Sequence, residues 1–127
     1  MIEKVIYKEL SYKIVGVLFE VYNELGPGHK EKHYQSAVSK EFRDIGLKHA
    51  KELCAKLKFK DEVVGQYYFD FLVEDKIILE LKCKDRLSRK DFDQVKGYLS
   101  QSGLKLGILA LFNNDGVTFK RILPNYL

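Results

Sequence analysis

The sequence is poor in several residue types, and each scarcity narrows what the chain can be. Its 127 residues include no tryptophan, one methionine, two prolines and two cysteines. Cys54 and Cys83 are too few for a disulfide framework and lack zinc-ligand spacing, so both are read as reduced thiols that pack. No apolar run approaches the roughly 18 residues of a membrane span, which excludes a transmembrane helix. The first residues, Met1-Ile2-Glu3-Lys4, lack the apolar segment of a signal peptide, which points to the cytoplasm. Arginine is scarce beside lysine, 4 against 18, a balance closer to general surface solvation than to a dedicated phosphate clamp. There is no Walker loop, no G-x-G-x-x-G and no G-x-S-x-G. Repeats, low-complexity tracts and linkers are also missing.

What remains is the composition of one globular domain over residues 1–127, 46% hydrophobic, 13% aromatic and 31% charged. The net charge of +4 is mildly basic and compatible with a polyanionic partner. The longest cationic run, residues 56–60, alternates Lys with Leu and Phe. It reads first as a strand with a solvated face and only second as a nucleic-acid groove.

Ile14, Leu18, Val21 and Leu25 recur at helical steps and predict a helix over residues 11–25, stopped by Gly26-Pro27-Gly28. A second helix is expected from near His29 to Gly46, with Tyr34, Val38, Phe42 and Ile45 as its apolar stripe. Alternation predicts a strand over residues 53–60, an Asp61-Glu62 turn, and a strand over 63–73 with Gly65 as a bulge. Glu74-Asp75-Lys76 turns the chain into a third strand, 77–83. Ser88 and Asp91 form a capping box that opens a helix carrying Phe92, Val95, Tyr98 and Leu99 and ending before Gly103. Residues 106–112 are nearly all apolar, as in a strand buried on both faces. After the turn Asn113-Asn114-Asp115-Gly116 comes a last strand, 117–123. The order α-α-β-β-β-α-β-β predicts an α/β architecture, a sheet flanked by helices.

The residues with chemistry lie in and beside the third strand. Glu80 and Lys82 are two apart and share a face. If Glu74-Asp75-Lys76 is a three-residue hairpin loop, Val73 pairs with Ile77 and Asp70 falls opposite Glu80, with Lys82 facing Tyr68. A two-residue loop would instead put the carboxylates on opposite faces. Facing carboxylates repel unless compensated, and a divalent cation is the natural compensator. Mg2+ favours one or two carboxylates, waters and phosphate oxygens. It would activate water and stabilise phosphoryl charge, and the adjacent lysine suits the same chemistry. Glu31 lies near the middle of the second helix's apolar stripe, in its first turn, and projects toward the sheet. The competing reading of Asp70, Glu80 and Lys82 is an exposed Glu–Lys ladder. Against it, these acids sit inside Phe69-Asp70-Phe71-Leu72 and Ile78-Leu79-Glu80-Leu81, where unpaired charge is costly. His29 and His33 each lie roughly 160° around the helix from Glu31 and read as surface histidines. His49 has no partner nearby in sequence.

Taken together, the segments resemble a known family. Leu25-Gly26-Pro27-Gly28-His29-Lys30-Glu31-Lys32-His33-Tyr34 contains the Gly-x-x-Glu-x-x-Tyr signature of the small bacterial GxxExxY proteins. In order there follow Phe69-Asp70-Phe71-Leu72-Val73, Ile78-Leu79-Glu80-Leu81-Lys82, Gln94-x-x-x-Tyr98-Leu99 and Gly103-Leu104-Lys105-Leu106-Gly107. That family looks like a minimal branch of the PD-(D/E)xK nuclease superfamily. The resemblance implies a restriction-endonuclease-like core, a central mixed β-sheet flanked by α-helices. It implies Mg2+ or Mn2+ held by Asp70 and Glu80, Lys82 as the catalytic lysine, and Glu31 as a helical acid at the metal or its water. Gln94 and Tyr98 resemble the Q-x-x-x-Y element that supports the site and positions DNA, although Tyr98 also belongs to its helix's apolar stripe. Two departures stand out: Tyr68 occupies a position that is often basic in the family, and Phe69 replaces the Pro of "PD".

Three functions compete. The first is a metal-dependent nuclease that hydrolyses phosphodiester bonds in nucleic acid, DNA ahead of RNA. The second is a nucleic-acid- or protein-binding module on a nuclease fold, with little or no cleavage. The third is an interaction protein with no nucleic-acid role. So small a chain offers little surface to a long duplex, which leaves room for a homodimer.

Overall fold

The computed structural model describes residues 6–125. Eight elements follow one another: α1 (Lys8–Leu25), α2 (Glu31–Asp44), β1 (His49–Phe59), β2 (Glu62–Val73), β3 (Ile77–Cys83), α3 (Arg89–Ser102), β4 (Leu106–Asn113) and β5 (Gly116–Ile122). The order is the expected one. The five strands form one sheet in the order β1-β2-β3-β4-β5. Only β3 and β4 run parallel, joined by the α3 crossover, so the sheet is mixed.

Helices cover both faces. On one, Ile14, Leu18 and Val21 of α1 and Tyr34, Val38 and Phe42 of α2 pack on Phe71, Val73, Leu79, Leu81, Ile108 and Ala110. On the other, Val95 and Leu99 of α3 pack on Phe69, Ile78, Leu109 and Ile122. The central strands are therefore buried on both sides, which is why β4 reads as continuous apolar sequence. Gly107 sets how closely α3 approaches, because a Cβ there would lie 2.6 Å from Val95 Cγ1. No helix among the described residues is long and apolar enough to cross a membrane.

Several sequence expectations need correction. Helix α1 begins three residues earlier than expected, and α2 begins at Glu31 rather than near His29, with Lys30 as N-cap. Ile45 is 48% exposed, not part of the α2 stripe, because it lies just past the helix end. Strand β1 starts at His49, since the pairing with β2 continues to His49↔Val73. The β1–β2 turn is Lys60-Asp61, both at positive φ as a two-residue hairpin loop requires. The bulge is beside Gly65, with Val64 as the extra residue between Leu57↔Gly65 and Lys58↔Val63. Cys54 is exposed, so only Cys83 packs.

One irregularity positions everything that follows. His49 and Phe71 face α2, in ring contact with each other and with Phe42. Leu53, Ala55, Tyr67 and Phe69 belong to the α3 side. A regular pleat would keep these odd-numbered residues on one face. The ribbon rolls over between them, at Glu52 and Asp70, which stand opposite each other yet form no ladder pair. Glu52 has φ 54°, the left-handed region, and turns the strand there. At the same point β2 leaves β3, whose ladder ends at Phe71↔Leu79.

Candidate active site

The three-residue loop holds: Val73↔Ile77, Leu72↔Ile78 and Phe71↔Leu79 are paired, the register that aims Asp70 at Glu80. The next pair is not a ladder pair, because the strands have parted. The two side chains replace the missing ladder bonds. The Asp70 N–H donates to Glu80 Oε1 at 3.0 Å, and the Leu81 N–H donates to Asp70 Oδ2 at 2.7 Å. Glu80 is only 6% exposed. Burial, and next the Glu80 charge, push the Asp70 carboxyl up to about 8. Burial also raises Glu80, against hydrogen bonding from Asp70 and the charge of Lys82. The pair therefore keeps a proton that two ordinary carboxyls would have released, and that proton belongs to the pair.

Lys82 does not face Tyr68, since β2 has already turned away. Its Nζ lies 3.4 Å from Glu80 Oε2 and 4.0 Å from Asp91 Oδ1. Asp91, in the first turn of α3, is buried and also takes Lys84 Nζ at 2.5 Å. It closes the predicted capping box with Ser88, accepting from the Ser88 N–H at 2.8 Å. Burial alone would raise the Asp91 carboxyl, but Lys84 and Ser88 outweigh it and hold the group below its ordinary range.

Glu31 arrives from the opposite helix layer, and the Gly-x-x-Glu-x-x-Tyr segment shows how. Gly26 and Gly28 take φ +70° and +93°, turning the chain out of α1. Tyr34 OH donates to Gly26 O at 2.6 Å, and its ring stacks on Phe112 at 4.5 Å. Phe112 pairs with Cys83 on β3. Glu31, one helical turn before Tyr34, is thereby set beside the end of β3, where the Cys83 backbone N–H helps to lower its pKa. Burial and then the Asp70 charge raise Glu31, while Lys82, the Cys83 N–H and Lys84 draw it down. Burial, with the charges of Glu31 and Asp70, pushes the Cys83 thiol up to about 11, so it is no thiolate nucleophile at neutral pH.

Glu31, Asp70, Glu80 and Lys82 are thus brought to one place, at the fork between β2 and β3 and between the first turns of α2 and α3. Gln94 and Tyr98 are not joined to them by any contact among the described residues. Tyr98 packs on Phe69 at 5.1 Å, and Gln94 lines a groove with Tyr67, Arg89 and Lys90. His29 and His33 are exposed. His49 does have a partner, Ser39 Oγ at 2.8 Å.

The sequence reading missed two residues. Gln35 Nε2 donates to Asp70 Oδ1 at 2.7 Å and to Glu31 Oε1 at 3.3 Å, bridging the acids. The signal was available, since Gln35 is four residues after Glu31 on the same helix face. Asp91 was read only as a cap, and its partnership with Lys82 and Lys84 is a tertiary contact with no local trace.

The donor set is hard carboxylate oxygen with one ammonium beside it, which suits Mg2+ or Mn2+ and not a thiophilic metal. Three carboxyls raised by burial, Glu31 and Asp70 also by a neighbouring carboxylate, form a site that a cation would relieve. Among the described residues no three acidic, His or Cys side chains stand close enough to hold an ion as arranged. Two carboxylates with waters meet the needs of Mg2+.

A helix-covered mixed sheet carrying these acids and a lysine at a strand fork defines a nuclease-like α/β protein. The chain belongs to the PD-(D/E)XK nuclease superfamily, whose sequence profile matches residues 8–122. Nucleases of this superfamily generally use divalent metals. Solved structures agree on the fold. SSO0001 shares 15% identity at TM-score 0.56, over 93% of this chain and 57% of that one. The alkaline exonuclease LHK-Exo of Laribacter hongkongensis shares 10% identity at TM-score 0.52, over 91% and 83%. The chain thus spans little more than half the length of SSO0001. No curated protein sequence matches it.

Proposed function

We propose that residues 1–127 form one domain acting as a metal-dependent nuclease of the GxxExxY kind, hydrolysing phosphodiester bonds in nucleic acid, DNA ahead of RNA. The reading rests on the interlocked Asp70–Glu80 pair, with Lys82 3.4 Å from Glu80. Asp70 and Glu80 would hold Mg2+ or Mn2+, with Glu31 at the metal or its water. The bound ion would supply Lewis-acid stabilisation of phosphoryl charge and a more acidic water. Lys82 places a positive charge beside the carboxylate pair, suited to stabilising charge that develops on the phosphate. Asp91 and Glu80 flank that ammonium. Gln94 and Tyr98 support the α3 wall and substrate placement. The reading carries a cytoplasmic setting and room for a homodimer.

One observation favours the second reading, a nucleic-acid-binding module without cleavage: Gln35 and Lys82 already compensate the carboxylates that a metal would bridge. The deciding experiment is cleavage of single- and double-stranded DNA and RNA with Mg2+ or Mn2+, beside folded Glu80→Ala and Lys82→Ala variants. Metal-dependent cleavage lost in both variants supports the nuclease. Binding without cleavage selects the module, and cleavage that survives both substitutions removes the site assignment.

A further inference from the structure

The roll of the β1–β2 ribbon at Glu52 and Asp70 gives its far half a second surface that the chemistry above does not use. Beyond the roll, Leu53, Ala55, Tyr67 and Phe69 turn inward to α3. Their strand neighbours must turn outward. By register these are Cys54 opposite Tyr68, then Lys56 opposite Gln66, then Lys58 opposite Val63. All six are exposed, Tyr68 to 60%. Gln66 Nε2 donates to Tyr68 OH at 3.2 Å and Cys54 Sγ to Gln66 Oε1 at 3.6 Å, so the tyrosine is held in a short polar row. Among the described residues neither Lys56 nor Lys58 has an ion-pair partner. The acids of this ribbon are elsewhere: Glu52 and Asp70 at the roll, Asp61 in the turn, and Glu62 opposite Phe59. The ribbon is tied to α3, because its inner side packs there and the Lys58 N–H donates to Gln101 of α3 at 3.2 Å. Its row ends at the roll beside the site, since Tyr68 is two residues from Asp70, about 6–7 Å of strand backbone.

We propose that this outer face of the β1–β2 ribbon is a guide for single-stranded nucleic acid, with Tyr68 stacking one base next to the Asp70–Glu80 site and Lys56 and Lys58 taking phosphates behind it. The proposal rests on the nuclease reading for what happens at the fork, but not for binding. An exposed ring with two unpaired lysines behind it on one face of the ribbon matches how single strands are held, by base stacking and backbone charge. A duplex hides its base faces and would leave Tyr68 unused. The ribbon accounts for Lys56 and Lys58 of the cationic run as one functional face rather than general solvation.

The test is fluorescence anisotropy of a labelled twelve-nucleotide oligothymidylate and of a same-length duplex, in EDTA so that nothing is cut. Full-length wild type is compared with Tyr68→Ala, with the double variant Lys56→Glu/Lys58→Glu, and with Lys105→Glu, exposed on another loop, all checked by thermal melting. The single strand should bind more tightly than the duplex. Tyr68→Ala and the double variant should each weaken it about tenfold or more, and Lys105→Glu should leave it unchanged. A milder Lys56→Ala/Lys58→Ala variant should flatten the log–log salt dependence by about 1.4. Unchanged affinity in folded Tyr68→Ala and folded Lys56→Glu/Lys58→Glu overturns the proposal, as does tighter binding of the duplex. Metal-dependent cleavage that persists while these variants bind normally would leave the nuclease standing and this surface refuted. Variant-sensitive binding in a protein that never cleaves would do the reverse.

Discussion

Replacing Asp70 with asparagine should make the metal-free protein more stable in alkali. The folded-state carboxyl is pushed up to about 8 from an ordinary 3.8. A raised carboxyl favours the folded state below its unfolded value, and that advantage is lost as pH rises through its folded value. Between these limits the folded protein keeps a proton that the unfolded chain has released, so stability falls with rising pH. The full span sets a ceiling of roughly 5–6 kcal/mol. Sharing of the proton with Glu80 and partial solvent contact reduce the realised effect to roughly 2–3 kcal/mol. Asparagine keeps an acceptor for the Leu81 N–H while removing the charge that repels Glu80. Thermal melts in EDTA from pH 4.5 to 9 should show the variant about 5–10 °C above wild type at pH 8.5. Near pH 5 the two should nearly coincide. Glu31 and Glu80 are raised in the same direction, so the difference between the two curves is the quantity to read. Adding Mn2+ should raise the wild-type midpoint most at alkaline pH and leave the variant unmoved. A variant uniformly less stable than wild type would refute the reasoning, because the fork would then be held by the hydrogen bonds of Asp70 rather than strained by its charge.

Three further substitutions probe how the acids are carried. Gln35→Leu removes the donor shared by Glu31 and Asp70. It should tighten Mn2+ binding in titration calorimetry, since no amide then has to be displaced from Asp70 Oδ1, and lower metal-free stability by about 1–2 kcal/mol. Tyr34→Phe deletes the bond to Gly26 O but keeps the ring stacked on Phe112. It should cost about 1 kcal/mol in urea unfolding and slow cleavage by loosening Glu31. Gly107→Val drives a Cβ into Val95 and should cost about 2–3 kcal/mol. A lower urea midpoint and less cleavage together would show that the seating of α3 on β4 positions Asp91 against Lys82.

The elements that local chemistry decides could be read from the sequence. The length of Glu74-Asp75-Lys76 fixed Val73↔Ile77, and with it the approach of Asp70 to Glu80. Ser88 and Asp91 announced the start of α3, and the unbroken apolar run announced β4. The roll at Glu52 and Asp70 could not be read, because a glutamate at positive φ carries no compositional signal and glycine is the residue that normally marks such a turn. Alternation was therefore continued through a point where the ribbon changes face, and Lys82 was set against Tyr68 when its partner is Asp91 on another element. Local rules fail where regular pairing gives way, and the proposed site lies at that point.

The way pairing gives way also divides the labour between the oxygens. The backbone holds Asp70 Oδ2, through the Leu81 N–H, and Glu80 Oε1, through the Asp70 N–H. Of the other two oxygens, Asp70 Oδ1 meets the Gln35 side chain and Glu80 Oε2 the Lys82 side chain. Side chains change rotamer far more readily than a strand changes register, so these two contacts can be exchanged without disturbing the fork. The fold thus fixes the direction of each carboxylate while leaving one oxygen of each open to exchange. For a hard cation that arrives with its own waters, this is the more useful state than a cage already closed, because it can bind by displacing one amide and one ammonium instead of reorganising the sheet.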